Sequence, residues 1–381
     1  MIKSHSVDKN RTVETVANKI IISVSNDLSC DQRVNKVCNS LVNMGFDVLL
    51  VGVKRKNSSP LMPKKYKMFR FNTIFKKGML FFIELNVRLF FYLLFKNCNI
   101  LVSNDLDTLL PNVLISRLKR KELVYDSHEY FTEVAELVAR PKKQAIWKSV
   151  ERYCFPKLKH IFTVSESIAE IYRGEYGKEV KVVRNVPYYS KYVGDKLLNY
   201  SGKKIIIYQG ALNIGRGLEW VIDAMPLIKN AVLVIIGDGT ISKELNERVN
   251  NLQLNEKVIF WGRIAESELY KYTPSANLGL CLLENRGLSY YYSLPNRIFD
   301  YLHAGVPVLA TDFPEIANIV NNETGILINH YEPEYLAEVI NDFLEKGFDT
   351  SNFDEIAKKF CWENEEKVLK EVYLSFLSLI I

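Results

Sequence analysis

KIIIYQGALNIGRGLEWVIDAM, residues 204–225, joins an apolar run, a glycine-rich segment and a helical pattern. The run is typical of a strand in a parallel sheet that is covered on both faces. Gly210, Gly215 and Gly217 allow backbone amides to approach a ligand, because no Cβ atom stands in the way. A helix beginning near Arg216 would direct its free N–H groups toward the turn, and the guanidinium suits phosphate oxygens. The stretch predicts a phosphate cradle, although a plain tight turn shows the same pattern.

The alternation of apolar runs and helical patterns continues in both directions along the chain. A polar, glycine-containing segment at 188–204 interrupts it and predicts a linker. Alternating strands and helices indicate βαβ units with right-handed crossovers. We therefore predict the α/β class, with two doubly wound Rossmann-like domains at 1–190 and 204–360 and a helical C-terminus. Residues 361–381 are expected to form a helix that packs back on the first domain.

Doubly wound sheets bind ligands at the carboxyl ends of their strands, so the cleft between the two domains is the predicted active site. The net charge of +6 over 381 residues does not indicate a nucleic-acid partner. Six cysteines without a C-x-x-C pair indicate reduced core thiols and a cytoplasmic protein. The five histidines show no metal-ligand spacing. The first 18 residues are polar and without pattern, which predicts a frayed tail.

The segment 54–77 is rich in lysine and arginine, and the apolar segment GMLFFIELNVRLFFYLLF, residues 78–95, follows it. The apolar segment is short for a membrane span and contains Glu84, Asn86 and Arg88. Two interpretations stay open. A buried core helix behind a solvated basic loop is favoured; the alternative is a basic, apolar face that rests on anionic lipid.

A second candidate segment is SLPNRIFDYLHAGVPVLATD, residues 293–312. Pro295 suits the start of a helix, and Ser293, Asn296 and Arg297 place polar groups at that end. Asp300 lies one turn after Asn296, so the two share a face. A carboxylate there can accept hydrogen bonds from the vicinal hydroxyls of a ribose. The alternative is an aspartate that only stabilises the helix dipole.

Taken in order, these segments resemble the nucleotide-sugar glycosyltransferases of the GT-B fold, specifically the large retaining family four. YQGALNIGRGLEWVIDAM, VLVIIGDG, VIFWGRI and DYLHAGVPVLATD each match a segment of that family's second domain. The resemblance covers nearly the whole chain, and the ordered set is more specific than any single segment. SLPNRIFDYLHAG also resembles a sub-branch that acts in cell-surface polysaccharide assembly.

The resemblance implies roles for individual residues, with departures. The family's ribose-binding glutamate falls on Asp300, and its phosphate-binding lysine falls on Arg216. Its second glutamate, which contacts the donor sugar, falls on Tyr292, so donor recognition must use other groups. Its phosphate-binding arginine falls on Ala211, and Arg297 is our candidate replacement. The other predicted donor-binding residues are Gly210, Asn213, Gly215, Gly217, Gly237, Gly239, Arg263, Ser293, Leu294 and Asn296.

The first domain is expected to face the acceptor. After its first strand the family has a glycine-rich loop, whereas this chain has SNDLSCDQRVNK, residues 25–36. Asp27, Asp31 and Arg33 are therefore candidates for contacts with acceptor hydroxyls or a donor phosphate. The alternative is a capping cluster in which Asp31 caps the following helix.

LVYDSHEYFTE, residues 123–133, ends a predicted strand with polar side chains. The family's strand-end histidine, which lies near the donor sugar, falls on His128. A histidine there can bind a sugar hydroxyl and titrates near neutral pH. Glu129 is an acceptor-side candidate, and Glu166 and Asn185 are further cleft candidates. We predict His128, Arg216 and Asp300 as the catalytic residues.

The resemblance implies a retaining glycosyltransferase that moves a sugar from a nucleoside diphosphate to a glycan or lipid-linked acceptor. We expect a UDP- or GDP-sugar donor, no cofactor and no metal ion. Peripheral contact with the inner membrane surface is part of this expectation, and nucleic acid is not.

Three alternatives stay open. NDLD, residues 104–107, contains an Asp-x-Asp pair of the kind that binds Mn²⁺ or Mg²⁺ in single-domain sugar transferases. A nucleotide-sugar epimerase has the same twin-domain architecture and would use Asp126, His128 and Glu129 as acid and base. A catalytically weak partner subunit would explain why Tyr292 and Ala211 replace two polar contacts.

Overall fold

A computed structural model of the chain describes residues 18–29, 31–190 and 197–378. The polar segment predicted as a tail, apart from its last residue, lies outside the described residues. The first domain contains seven strands: β1 Lys19–Ser23, β2 Asp47–Lys54, β3 Lys67–Asn72, β4 Ile100–Asn104, β5 Glu122–Ser127, β6 His160–Thr163 and β7 Lys181–Val182. Its helices are α1 Gln32–Asn43, α2 Gly78–Phe95, α3 Leu109–Lys119, α4 Ala135–Val138, α5 Pro141–Cys154 and α6 Glu166–Tyr176.

The second domain contains six strands: β8 Lys204–Gln209, β9 Ala231–Ile236, β10 Val258–Gly262, β11 Leu278–Cys281, β12 Val308–Thr311 and β13 Gly325–Ile328. Its helices are α7 Leu218–Ala224, α8 Ser242–Asn251, α9 Glu266–Leu269, α10 Leu288–Tyr291, α11 Asn296–His303, α12 Pro314–Ala317, α13 Pro333–Lys346 and α14 Phe353–Lys359. The last helix, α15, spans Trp362–Ser378.

Each domain is built on one parallel sheet, with the strand orders 3-2-1-4-5-6-7 and 10-9-8-11-12-13. All pairings are parallel, as the apolar runs predicted. In both sheets the order reverses beside the first strand, β1 or β8, so each domain has its own switch point there. This α/β architecture of two doubly wound domains confirms the predicted fold class. Strand β3, which lies within the basic segment, was not predicted.

The C-terminal helix α15 packs on the first domain. Trp362, Leu369 and Tyr373 belong to the same buried cluster as residues of β1 and α1. Trp362 donates from its indole nitrogen to Ser40 Oγ at 3.0 Å and from its backbone to the carbonyl of Pro187 at 2.8 Å. Helix α15 therefore contacts both the first domain and Pro187, which lies just before the segment that connects the two domains.

Five of the six cysteines are buried free thiols, namely Cys38, Cys98, Cys154, Cys281 and Cys361. Burial raises the pKa of the Cys154 thiol to about 12, so this side chain behaves as a neutral core residue. Cys30 lies outside the described residues.

Candidate functional site

The turn after β8 lies against the end of β9 at distances that only glycine permits. A Cβ on Gly237 would lie 1.9 Å from the carbonyl oxygen of Gly210, and one on Gly239 would lie 2.3 Å from that of Leu212. Gly217 has a φ of +67°, and α7 begins only after it. The helix therefore begins two residues after Arg216, near the predicted start, because the left-handed residue delays it, and Arg216 itself lies within the turn.

Arg297 is a buried cation beside this turn. Its side chain comes from the first turn of α11 and is 9% exposed. The guanidinium carbon lies 4.5 Å from the centre of the Tyr208 ring, and a Cβ on Gly210 would lie 3.5 Å from Nη2. Nη1 is buried and has no hydrogen-bond partner within the described residues. A buried charge without a partner is costly, so this arrangement favours binding of an anion.

Arg216 stands at the other end of the same turn. Its guanidinium carbon lies 5.3 Å from the centre of the Tyr290 ring, and its buried Nε has no hydrogen-bond partner in the described part of the chain. Within residues 18–29, 31–190 and 197–378, no carboxylate pairs with Arg216 or Arg297. Two cations with unused donors therefore flank backbone that a ligand can approach closely.

Asp300 lies near the end of β8 through a side-chain relay. Gln209 donates to its Oδ2 at 3.3 Å and accepts from the Thr273 hydroxyl at 2.8 Å. Gln209 is buried, and Asp300 lines a cavity of about 200 Å³ whose wall also contains Tyr188 and Tyr270. The relay holds the carboxylate in one orientation, and Gln209 is a functional candidate that the sequence analysis missed.

The two domains together enclose a cavity of about 230 Å³. Residues that were predicted for both sides of the cleft, most of them polar, meet there. The first domain contributes Asp31, Arg33, His128, Glu129 and Asn185, and the second contributes Arg216, Ser293, Leu294 and Asn296. Ser289 and Tyr290 also line the cavity and were not predicted. The segment between β11 and α11 thus supplies the wall that faces the first domain.

A third cavity, of about 770 Å³, extends along the carboxyl ends of β8 to β10. Its lining includes Gly210, Gly237, Gly239, Arg263, Ile264 and Leu269 from the second domain, and Ser29 and Gln32 from the first. Leu269 also lines the cavity that contains Asp300. The cavity at the glycine turn and the cavity at the candidate ribose-binding carboxylate therefore adjoin at Leu269.

His128 is held by an unpredicted neighbour. Its backbone N–H donates to Oδ1 of Asp105 at 2.8 Å, and its Nδ1 lies 3.7 Å from Oδ2 of that residue. Nε2 lies 3.0 Å from the Asn104 amide oxygen and 3.5 Å from Asp126. Burial alone would lower the pKa of His128, but the two carboxylates raise it to about 9. The imidazole is therefore a cation at neutral pH.

Asp105 has a φ of +57°, which is uncommon outside glycine. This conformation turns its carboxylate back toward His128. Burial raises the pKa of Asp105, although the His128 cation opposes the shift. Glu129 opens to the cleft, where shielding from bulk water and the Asp105 carboxylate raise its pKa above the ordinary range. The signal for Asp105 was the NDLD segment, which the sequence analysis considered only for metal binding.

Arg33 faces the cavity, but its donors are already used. Its Nη2 lies 2.6 Å from Asp126, its Nε donates to the same carboxylate, and its Nη1 donates to the carbonyl of Val183 at 2.5 Å. Both side chains are almost fully buried. Burial alone would raise the pKa of Asp126, yet Arg33 and His128 hold it well below its usual value. The expected direct contact between Arg33 and a ligand is therefore not supported.

Not every predicted residue lines these cavities. Tyr292 packs against the core of the first domain, and its carbonyl accepts from Ser165 Oγ at 3.0 Å, so it bridges the domains. Asn213 braces the turn by accepting from Thr240. Asp27 accepts from Ser29 and Ser58. Glu166, a weaker candidate, pairs with Arg173 on the surface.

The two aspartates of NDLD do not act together. Asp105 holds His128, whereas Asp107 is 6% exposed, and burial together with Asp105 raises its pKa to about 7. Within the described residues, no group of three or more His, Cys, Asp or Glu side chains could hold a metal ion. The two separate sheets also exclude the single-domain fold that the metal-binding alternative required.

Comparison with known proteins agrees with this geometry. The family model described as "Glycosyl transferases group 1" matches residues 203–346. Residues 203–346 are thus similar to this family over less than half of the chain. The described residues have the GT-B fold, since the chain superimposes on sucrose-phosphate synthase of Thermosynechococcus elongatus with a TM-score of 0.76 at 16% identity, covering 95% of this chain and all of that one. HepE of Anabaena, in complex with UDP and glucose, matches with a TM-score of 0.73 at 15% identity, covering 94% of this chain and 100% of that chain.

The relatives found by sequence match a smaller part of the chain. An uncharacterized glycosyltransferase of Methanocaldococcus jannaschii is 27% identical over 45% of this chain and 45% of its own length. The alpha-monoglucosyldiacylglycerol synthase of Streptococcus pneumoniae is 28% identical over 50% of this chain and 42% of its own length. The chain thus spans less than half the length of these curated relatives.

Proposed function

We propose that this protein transfers a sugar from a nucleoside diphosphate sugar to a hydroxyl group of a glycan or lipid-linked acceptor. One observation carries the proposal: Arg216 and Arg297 flank a glycine turn, and each has a buried donor, Nε or Nη1, that no group among the described residues uses. A diphosphate supplies the negative charge that this pair needs. The group 1 family match and the UDP-bound HepE structure support the same class of donor.

In the reaction the bond between the sugar C1 and the β-phosphate oxygen breaks, and its electron pair leaves with the diphosphate. The acceptor oxygen forms the new bond to C1, and its proton passes to a phosphate oxygen. The two guanidiniums and the backbone amides of the 210–217 turn stabilise the developing charge. Asp300, held by Gln209, is assigned to the ribose hydroxyls.

The first domain supplies the acceptor side of the cavity. We assign the His128 cation to a sugar hydroxyl or phosphate oxygen, with Asp105 and Asn104 fixing its ring. Our proposal includes a retaining, front-face reaction without a protein nucleophile, in which the acceptor attacks from the side the diphosphate leaves. It also includes a place in cell-surface polysaccharide assembly and a cytoplasmic location beside the membrane.

The test begins with thermal-shift screening of UDP-, GDP- and CDP-sugars, because a ligand of the folded state raises its stability. We expect one nucleotide class to raise the melting temperature of the protein and to lose most of that effect in Arg216→Ala. Arg248→Ala is the matched control, since Arg248 lies on α8 of the same domain and is paired with Asp223 of α7. Equal shifts in Arg216→Ala and the control would show that the cradle assignment is wrong.

A nucleotide-sugar epimerase is the second candidate. It is favoured by His128 and Glu129, two neighbouring groups with raised pKa values in one cavity. Turnover of a donor into its epimer without any acceptor would support it. Transfer that requires an acceptor, with no epimer formed, supports the glycosyltransferase.

A further inference from the structure

Helix α2 is apolar on all sides, but the first domain covers only one of them. Four of its eighteen residues are buried: Phe81, Leu85, Leu89 and Leu93. A second row, at the same helical spacing, points to solvent: Leu80, Ile83, Val87, Phe91 and Phe95 are between 51% and 82% exposed. A continuous row of large apolar side chains marks a surface that another body covers. The favoured prediction of a buried core helix therefore holds for one side of α2 only.

The exposed row continues onto the neighbouring helix. Lys119 of α3 donates to the carbonyls of Leu93 and Leu94, which ties the ends of α2 and α3 together. Leu114 and Leu118 of α3 are also exposed. Helix α2 is long and apolar enough to cross a membrane by length and composition. However, its buried side belongs to the domain core and it connects β3 to β4 of one sheet, so in this fold it lies on the surface.

The charge around this apolar row has one sign. Residues 54–96 contain eleven lysines and arginines and a single acidic residue, Glu84. Glu84 is neutralised by Arg88 at 2.7 Å and by the backbone N–H groups of residues 74 and 75. Eight of the lysines are exposed: Lys54, Lys56, Lys64, Lys65, Lys67, Lys76, Lys77 and Lys96. An apolar row within a basic border is complementary to an anionic lipid surface.

The topology places this border beside the cleft. All strands of the first sheet are parallel, so their carboxyl ends share one edge, the edge that carries His128 and Asp126. The basic loop 73–77 follows β3 and lies at this edge, where loop 55–66 also begins after β2. Loop 55–66 then crosses to the amino end of β3, where Lys64 contacts Asn35 of α1. Helix α2 begins there, at Gly78, and runs back along the sheet. A surface that binds at α2 would meet the acceptor side of the cleft.

We propose that the exposed face of α2, with Leu114 and Leu118 of α3, docks the first domain on an anionic lipid bilayer. The apolar row enters the headgroup boundary, and the exposed side chains of Lys56, Lys76 and Lys77 contact lipid phosphates. This inference rests on the proposed function only in its orientation, which presents a lipid-linked acceptor hydroxyl to the cleft. Binding to the bilayer itself needs neither donor nor catalysis.

The experiment is co-sedimentation of the full chain with vesicles, without any nucleotide. We expect binding to phosphatidylcholine mixed with phosphatidylglycerol, and little binding to phosphatidylcholine alone. Phe91→Glu should lower the partition coefficient by about tenfold or more, because it removes the burial of one large apolar side chain and adds a charge. Leu252→Glu is the matched control, since Leu252 is 40% exposed in the second domain.

The electrostatic part has its own pair of variants. Lys56→Glu with Lys77→Glu should weaken binding to the mixed vesicles and reduce its salt dependence. Lys243→Glu with Lys346→Glu makes the same charge change on the second domain and should leave binding close to that of the unchanged protein.

Two results would overturn the inference. One is absence of binding to the mixed vesicles at low salt. The other is a dimer in light scattering that Phe91→Glu dissociates, which would assign the apolar row to a second copy of the chain. Nucleotide binding, measured separately by calorimetry, should be the same in all these variants. If the unchanged protein binds none of the nucleotides, that result would instead contradict the proposed function.

Discussion

Each domain buries an arginine at the cleft, and the two arginines are in opposite situations. Arg33 of the first domain forms a close ion pair with Asp126 and also donates to a backbone carbonyl. Arg297 of the second domain stacks on the Tyr208 ring, and its Nη1 has no hydrogen-bond partner among the residues that the structure describes. The first is a saturated structural pair, and the second is a binding group. Burial of a charge therefore indicates function only after its partners have been counted.

The largest effect should come from breaking the saturated pair. Arg33→Gln leaves the buried Asp126 carboxylate with only the more distant His128, at 3.5 Å, as a cation, and the free energy of unfolding should fall by about 3–5 kcal/mol in urea titrations. The double variant with Asp126→Asn should recover part of this loss, because neither charge remains. If the free energy of unfolding falls less in the single variant than in the double variant, the two groups are not coupled as described.

Arg297→Gln should have the opposite signature. The affinity for the nucleoside diphosphate identified by screening should fall by roughly ten- to a hundredfold in calorimetry, because charge-assisted hydrogen bonds are lost. The stability without ligand should stay unchanged or rise, since an unpaired buried cation is removed. A loss of stability like that of Arg33→Gln would mean that Arg297 is structural.

The pH dependence of the free energy of unfolding tests the His128 cation of the first domain. The folded-state pKa of His128 is about 9, above its ordinary value of about 6.5. A raised pKa stabilises the fold fully below the unfolded pKa, and this stabilisation is lost as the pH rises through the folded pKa. Between about pH 6.5 and 9 the protein should lose about 1–3 kcal/mol relative to His128→Gln, measured by urea unfolding at several pH values. Parallel curves for the two proteins would contradict the assigned cation.

Asp300→Asn should show the smallest effect. One hydrogen-bonded carboxylate among many nucleotide contacts is worth about 1 kcal/mol, so nucleotide affinity should fall by roughly three- to tenfold. The variant should also discriminate less between a ribonucleotide and its 2′,3′-dideoxy analogue in calorimetry. Asp312→Asn, a matched carboxylate change on the surface of the same domain, should match the unchanged protein. Full retention of discrimination in Asp300→Asn would assign the ribose to another group.

Most of the second domain's site could be predicted, because its elements lie close together along the chain. The 204–225 segment contains the strand, the glycine turn and Arg216 in one run, and local steric rules are enough to interpret it. The first domain's site was predicted less completely. Asp105 and His128 are 23 residues apart and meet only because β4 and β5 are neighbours in the sheet.

By itself, the sequence determined the two α/β domains, the glycine turn and the candidate carboxylate Asp300, since period, propensity and chain order are local properties. Only the tertiary structure decided that Arg297 lies beside Gly210, that Arg33 forms an ion pair with Asp126, and that Tyr292 packs against the first domain. It also decided which side of α2 is covered. An apolar helix has the same sequence whether one face or all of it is buried, because burial depends on what packs against it.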